Sequence, residues 1–382
     1  MIKIINIIGA RPQIIKAAAI SRAVKKHFAD KIEDIILHTG QHYDENMTEV
    51  FFSEMGIPAP KYNLNVGSAT HGVQTADMMK GIDKVLLEEK PDVVLVYGDT
   101  NSTLAAAVSA SKLHFPVAHV EAGLRSFNKS MPEEINRITC DHVSTLLFSP
   151  TKNGVINLQR EGFDIYSKKP FTIDNPGVFH CGDVMYDNSL FFSKIATQKS
   201  KILEQSGLEK GNFVLATIHR DNNTDDAVRL KQIFQTIYTI SSEYNMQFFI
   251  PLHPRTSAIL QKNIGDDLYN RIQNSKLLKI SQPVSFFDMI QLESNSCLVM
   301  TDSGGVQKEA FFFKKPCLIL RSETEWVEIV EHKTAKVCDA DSQKILNGWK
   351  EFYKNPPREF PNLFGDGKAS EFICNKIIET FA

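Results

Sequence analysis

Lys3-Ile4-Ile5-Asn6-Ile7-Ile8-Gly9-Ala10-Arg11-Pro12-Gln13-Ile14-Ile15-Lys16 reads as a strand, a turn and the start of a helix. A short aliphatic run bounded by turn residues is the pattern of a strand buried on both faces of a parallel sheet. Pro12 suits the first turn of a helix, where its missing N–H costs nothing. The same rhythm continues through the first half, predicting strands at Lys3–Ile8, Asp34–Leu37, Val93–Tyr97, Val117–Val120, Leu146–Ser149 and Phe179–Cys181. Helical patterns at Gln13–Lys26, Val73–Glu89, Ser102–Leu113 and Glu133–His142 fall between them. This alternation is the βαβ signature of a parallel sheet covered by helices.

The rhythm breaks between Thr197 and Gly211, a stretch rich in Lys, Glu, Gln and Ser, and a domain change is placed just upstream of it. Strands then resume at Phe213–Thr217, Gln247–Ile250, Leu278–Ser281, Cys297–Thr301 and Cys317–Leu320, with helices at Asp225–Tyr244, Val284–Ser294 and Val306–Phe313. A Pro-rich loop at Asn355–Gly367 ends in Gly-Asp-Gly and precedes a last helix, Ala369–Ala382. The expected fold class is α/β, with two doubly wound domains facing a cleft. Ligands of such sheets bind beyond the carboxyl ends of the strands, so functional residues are sought just after strands.

The composition supports this reading. The chain has 382 residues, 43 Lys and Arg against 45 Asp and Glu, and a net charge of −2. Its length suits two domains, or three small ones, and excludes one small module. The near-neutral balance gives no general electrostatic case for nucleic acid or an anionic membrane. No apolar run reaches the ~18 residues of a membrane span. The start lacks the basic region and cleavage site of a signal peptide, so a cytoplasmic location is expected. Cys140, Cys181, Cys297, Cys317, Cys338 and Cys374 are scattered without metal-ligand spacing, and read as buried thiols.

Three groups of residues carry chemistry. Arg11 and Lys16 flank the first helix N-terminus, where two cations and the helix dipole suit an anion. The bland alternative is two solvated surface cations. Neither GxGxxG nor GxxxxGK[ST] spacing is present. Thr301-Asp302-Ser303-Gly304-Gly305-Val306-Gln307-Lys308-Glu309 forms a second strand, glycine turn and helix start. Ser303, Gly304 and Gly305 suit a diphosphate, and Glu309, one helical turn on, suits ribose hydroxyls; the alternative is a helix cap with an exposed Glu. The third group is acid/base. Asp99 and Glu121 follow successive strands, Glu133 and Glu134 open a helix, and His219 with Arg220 follows a strand in the second half. A single carboxylate there reads as a cap or an ion pair, whereas several at one sheet mouth read as catalytic.

Together these residues resemble the non-hydrolysing UDP-N-acetylglucosamine 2-epimerases. GARPQIIK, HTGQHYDENM, YGDTNSTLAAA, HVEAGLRS, MPEEINR, TDSGGVQKEA and GDG occur in that family's order along most of the chain. The resemblance implies two Rossmann-like domains in a GT-B-like arrangement. Residues 1–185 with 369–382 would form the domain carrying the carboxylates, and residues 186–368 the UDP-binding domain. It also implies that Arg11, Lys16, His219, Ser303, Gly304, Gly305 and Glu309 hold UDP, with Arg220 beside them. Asp99, Glu121 and Glu133 become the proton-transfer set, with His219 helping UDP depart. The implied reaction removes the C2 proton and the C1 UDP group to give 2-acetamidoglucal, then adds UDP back with a proton on the other face of C2. No cofactor and no metal are implied. The expected partners are a UDP-sugar and a second copy in a homodimer, with no nucleic acid and no membrane insertion.

Some positions vary from the commoner members. Ala10 and Gln13 stand where Thr and Glu are usual, Thr324-Glu325-Trp326-Val327-Glu328 replaces a Thr-Glu-Arg-Pro-Glu segment, and an activator-binding element reads Gln41-His42-Tyr43-Asp44. GARPQ, the MPEEINR context, GGVQKEA and TEWVE resemble the branch acting on UDP-2,3-diacetamido-2,3-dideoxyglucuronate, whose product enters surface polysaccharides. A hydrolysing epimerase and a GT-B glycosyltransferase are the rival enzymes, and a nucleotide-sugar sensor is the non-enzymatic one.

Overall fold

In the computed structural model, which describes residues 1–41, 52 and 56–382, the run Ile2–Ile8 forms strand β1. Six more strands join it: β2 (Ile32–His38), β3 (Tyr62–Asn63), β4 (Val93–Tyr97), β5 (Val117–Val120), β6 (Leu146–Ser149) and β7 (Gly177–His180). All pair in parallel, in the order β3-β2-β1-β4-β5-β6-β7. The chain supplies strands that can be buried on both faces: every residue of β4 from Val93 to Tyr97 is fully buried. Each such aliphatic side chain contributes roughly 1.5–3 kcal/mol of transfer free energy. This sheet belongs to unit 1, which comprises Met1–Asn188 and Asn362–Ala382. The last helix, Ala369–Phe381, packs on helix Arg11–Ala23 within it.

Unit 2, Ser189–Pro361, repeats the architecture. Its strands are β8 (Phe213–Thr217), β9 (Gln247–Pro251), β10 (Leu278–Ser281), β11 (Leu298–Thr301), β12 (Cys317–Ile319) and β13 (Ala335–Val337). They are all parallel, in the order β10-β9-β8-β11-β12-β13. Leu298 pairs with Val214 and Thr301 with Thr217, which sets the ends of β8 and β11 level. Trp349 from helix Ser342–Lys354 closes one side of the core against Phe248 and Leu318.

In each sheet the strand order reverses once, between β1 and β4 in unit 1 and between β8 and β11 in unit 2. Chains leaving the two strands at such a point diverge to opposite faces and open a crevice beyond their carboxyl ends. Gly9 and Gly98 follow β1 and β4; Ile218 and Asp302 follow β8 and β11.

The structure differs from the sequence expectations in several elements. The first helix runs Arg11–Ala23 and ends in a π-turn at Val24–Phe28. In place of one helix from Asp225 there is a short helix, Asp221–Thr224, and a long one, Ala227–Tyr244, because the Asp226 side chain accepts the amides of Val228 and Arg229 and starts a new helix. β3 and β13, of two and three residues, were not expected. Of the HTGQHYDENM stretch, residues from His42 onward lie outside the described residues, and so does most of the Gln41-His42-Tyr43-Asp44 element.

Candidate functional site

The turn after β1 is built from a glycine and a buried amide. A Cβ on Gly9 would lie 2.0 Å from Ser102 Oγ and 2.2 Å from Thr39 Oγ1, so the close packing of this turn demands glycine. Gln13 is buried, and its Oε1 accepts the amides of Gly9 at 2.9 Å and Ala10 at 3.1 Å. Its Nε2 donates to the Tyr97 carbonyl at 3.0 Å and to Thr103 Oγ1 at 2.9 Å. A side chain with both an acceptor and a two-proton donor is needed here, which glutamine supplies and an ionised glutamate does not. Gln13 therefore ties the β1 turn to the end of β4. Arg11 is exposed in the first helical turn.

Lys16, one turn further on, lies against Glu121, its Nζ in contact with Oε2. Both side chains are largely shielded, at 12% and 9% exposure. Glu121 follows β5 and adopts φ +78°, a conformation that non-glycine residues rarely take. Its amide and that of Ala122 both donate to the Phe148 carbonyl, at 3.0 and 3.1 Å, and hold it there. Backbone strain of this kind costs about 1–3 kcal/mol and persists where the surroundings over-determine it, typically at working sites.

Asp99 ends the turn after β4. Arg137 joins its carboxylate to that of Glu134, one guanidinium nitrogen on each. Glu134 is buried; against the opposing effect of burial, the amides of Ser126 and Phe127, at 3.0 and 2.9 Å, and the Arg137 guanidinium hold its carboxyl below the usual range. Glu134 is thus a loop anchor, whereas its neighbour Glu133 is exposed in the first turn of helix Pro132–His142.

Beneath these groups lies a buried ionic cluster that sequence reasoning did not single out. Both ring nitrogens of His119 face oxygens, Nδ1 the Asp141 carboxylate at 2.7 Å and Nε2 the Gly98 carbonyl at 2.8 Å. Asp141 also receives the Gly123 amide at 3.1 Å and Arg125 at 2.7 Å. Arg125 reaches Glu161 through two nitrogens, at 2.7 and 2.6 Å. Burial disfavours the Asp141 charge, yet His119 and Arg125 keep its carboxyl below the usual range. Within HVEAGLRS, then, His119 and Arg125 brace the Gly98–Asp99 turn and the loop after Glu121.

In unit 2, His219 follows β8 and is half exposed. Its Nδ1 lies 3.1 Å from Oδ1 of Asp302, which is fully buried at the end of β11. Asp302 also accepts the amides of His219 and Arg220, at 3.1–3.2 Å, and Asn223 Nδ2 at 3.0 Å. Despite burial, the His219 contact and these donors hold the Asp302 carboxyl below its usual range. Asp302 therefore orients the imidazole, directing its Nε2 away from the carboxylate. In the sequence Asp302 is only one member of the glycine-turn stretch, with no pattern that marks it as the imidazole's partner.

The glycine turn that follows shows two different needs. A Cβ on Gly304 would meet Glu325 Oε1 at 2.2 Å, so a side chain there would have to move the Glu325 carboxylate from its place beside Arg321. A Cβ on Gly305 would meet only Ser303 Oγ, at 3.9 Å, and φ there is not positive, so nothing within the chain requires glycine. Ser303 Oγ caps the helix Gly304–Phe312 at the Val306 amide, and Glu309 sits half-buried one turn beyond Gly305. Trp326, in the variant Thr324–Glu328 segment, is buried with Lys308 Nζ 4.2 Å from its ring centre. Among the described residues, no group of three or more His, Cys, Asp or Glu side chains is placed to hold a metal ion. No helix among them is long and apolar enough to cross a membrane.

The chain matches the family described as UDP-N-acetylglucosamine 2-epimerase over residues 24–378. It is 47% identical over 370 residues to a UDP-N-acetylglucosamine 2-epimerase homolog of Methanococcus maripaludis, covering 96% of this chain and 97% of that one. To the UDP-2,3-diacetamido-2,3-dideoxy-D-glucuronate 2-epimerase of Pseudomonas aeruginosa it is 45% identical, covering 97% and 98%. A crystal structure of Methanocaldococcus jannaschii UDP-GlcNAc 2-epimerase in complex with UDP-GlcNAc and UDP superposes with a TM-score of 0.85 at 42% identity, covering 99% of this chain and all of that one.

Proposed function

The chain belongs to the UDP-N-acetylglucosamine 2-epimerase family, and from that premise we propose that it inverts C2 of a UDP-2-acetamido sugar in the cytoplasm by eliminating and re-adding UDP. The C2 proton beside an acetamido group is poorly acidic, so direct inversion is slow. Elimination offers a route: a base takes the C2 proton, the C1–O bond breaks, and its electron pair leaves with UDP, giving 2-acetamidoglucal. Re-addition of UDP to C1, with protonation on the opposite face of C2, completes the inversion. Two acid/base groups are the minimum.

Asp99, Glu121 and Glu133 are the proton-transfer set. The observation that carries this reading is Glu121, held in a strained backbone conformation with its carboxylate against Lys16. Lys16 is expected to meet the diphosphate. Arg11, His219, Arg220, Ser303, Gly304, Gly305 and Glu309 hold UDP, and the His219 Nε2, oriented by Asp302, serves the departing oxygen. A diphosphate lying on Gly305 explains why glycine occupies a position where the chain itself leaves room for a side chain.

The relatives divide between UDP-GlcNAc and UDP-2,3-diacetamido-2,3-dideoxy-D-glucuronate, so both sugars are the substrates to offer. With the right one, the product is a mixture of gluco and manno UDP-sugars with UDP still attached. Release of a free 2-acetamido sugar with UDP would show a hydrolase and overturn the non-hydrolysing reading. A homodimer is the proposed assembly; light scattering should give twice the chain mass, and a monomer mass would contradict it.

A further inference from the structure

The chain leaving β4 gives three consecutive carbonyls to three buried side chains from three different elements. The Tyr97 carbonyl accepts Gln13 Nε2 from helix Arg11–Ala23 at 3.0 Å, and Thr103 Oγ1 at 2.7 Å. The Gly98 carbonyl, which can only accept, faces His119 Nε2 of β5 at 2.8 Å. The Asp99 carbonyl accepts Asn136 Nδ2 from helix Pro132–His142 at 2.9 Å. Gln13, His119 and Asn136 are all buried. The amide of Gly98, where φ is +64°, donates to the Val120 carbonyl at 3.0 Å. A Cβ on Gly98 would lie 3.0 Å from Lys16 Nζ and 3.1 Å from Glu121 Oε2, so this turn lies directly against the Lys16–Glu121 pair.

Carbonyls that follow a strand can be satisfied by water. Committing a buried side chain to each of three in succession instead fixes the path of the turn residue by residue, and Asp99 is its last member. Of the three side chains, Asn136 is the one that acts on Asp99 itself. Its Nδ2 also lies 3.3 Å from Asn101 Oδ1, so Asn136 reaches from the Asp99 carbonyl to the first residue of helix Asn101–Lys112. The next residue on its own helix, Arg137, contacts the Asp99 carboxylate. That side chain keeps 33% exposure. The backbone of Asp99 is therefore held from within while its carboxylate stays open to a ligand. We propose that Asn136 is a positioning residue for proton transfer, its amide holding the Asp99 carbonyl so that the Asp99 carboxylate meets C2 of the sugar in one orientation. This rests on the reading of Asp99 as a proton-transfer group.

A double-mutant cycle on C2 exchange, run with whichever of the two candidate sugars the natural protein exchanges, tests it. Asp99→Asn should lower kcat about a hundredfold or more. Asn136→Leu, which keeps the branched shape without the donor, should lower kcat about tenfold, the loss expected for one hydrogen bond. KM and the UDP dissociation constant, read by calorimetry, should change less than about twofold in the same variant. In the Asp99→Asn background the Leu substitution should cost less than about twofold, because the group it positions is gone. Asn136→Ala removes the donor without bulk and carries the test, with the same expected outcomes, if the Leu variant fails to fold. Unchanged kcat, a loss as large in the Asp99→Asn background as in the natural one, or an equal weakening of UDP would each overturn the role of Asn136 alone. Full exchange in Asp99→Asn would remove Asp99 from the proton-transfer set, and absence of exchange in the natural protein would remove the epimerase reading; the inference falls with either.

Discussion

The crevices of unit 1 and unit 2 are built on the same strand reversal but held by different forces. In unit 1 the charged groups are tied to one another: Lys16 to Glu121, Asp99 to Glu134 through Arg137, and His119 to Glu161 through Asp141 and Arg125. In unit 2 one buried carboxylate, Asp302, gathers backbone amides and a half-exposed imidazole, and the glycine turn offers its own amides. A network of ion pairs sets where carboxylates point and how charge is shared, which suits proton transfer. Backbone donors with little side-chain bulk suit a diphosphate, whose charge is fixed and whose oxygens need close approach. The two regions should therefore respond differently to substitution.

The largest effect is expected at Glu121. Glu121→Gln should lower C2 exchange by about a thousandfold or more while changing the UDP dissociation constant less than about twofold, as expected when an acid/base group is removed from an otherwise intact site. Normal exchange in that variant would break the assignment. Next comes Arg125→Ala, which strips the counter-charge from buried Asp141 and should destabilise unit 1 by about 3–5 kcal/mol. Thermal unfolding at the natural temperature would show that the cluster does not brace the unit.

Unit 2 provides a paired contrast. Gly304→Ala must push Glu325 aside and should lower the melting temperature, whereas Gly305→Ala meets no obstacle and should melt as the natural protein does. Gly305→Ala should nevertheless bind UDP about tenfold more weakly, because its methyl group displaces the diphosphate from the turn amides. Unchanged UDP affinity would remove Gly305 from the site. The smallest effect concerns pH. Burial raises the folded Glu293 carboxyl, so its contribution to stability is present below the unfolded carboxyl value and is lost as pH rises. Glu293→Gln should therefore raise the melting temperature by about 2–4 °C at pH 7 and give no gain near pH 4. A gain that grows toward acid pH would reverse the sign and refute the buried neutral acid.

Much of this architecture was legible in the sequence because doubly buried strands are written as aliphatic runs. Val93–Tyr97, Leu146–Ser149 and Phe213–Thr217 begin and end in the structure where their apolar runs do. Tyr62–Asn63 and Ala335–Val337 were not legible, since two or three edge residues show no period. Of the site, the residues after strands were readable from position alone. Those that hold them were not. Gln13, His119, Asp141 and Asp302 look like ordinary polar residues until the fold buries them. Glu293 falls in a helix pattern as one more polar position, and only packing reveals that it is buried.

The central claim is that this chain breaks and remakes the C2–H bond of a UDP-2-acetamido sugar. Proton NMR in D2O, with UDP-GlcNAc and with UDP-2,3-diacetamido-2,3-dideoxy-D-glucuronate and no acceptor present, tests it directly. Deuterium at C2 of a gluco/manno mixture, appearing with one of these sugars and abolished in Glu121→Gln, is the predicted result. Retention of the C2 proton in both sugars over many hours with active, UDP-binding protein would contradict it and favour a transferase.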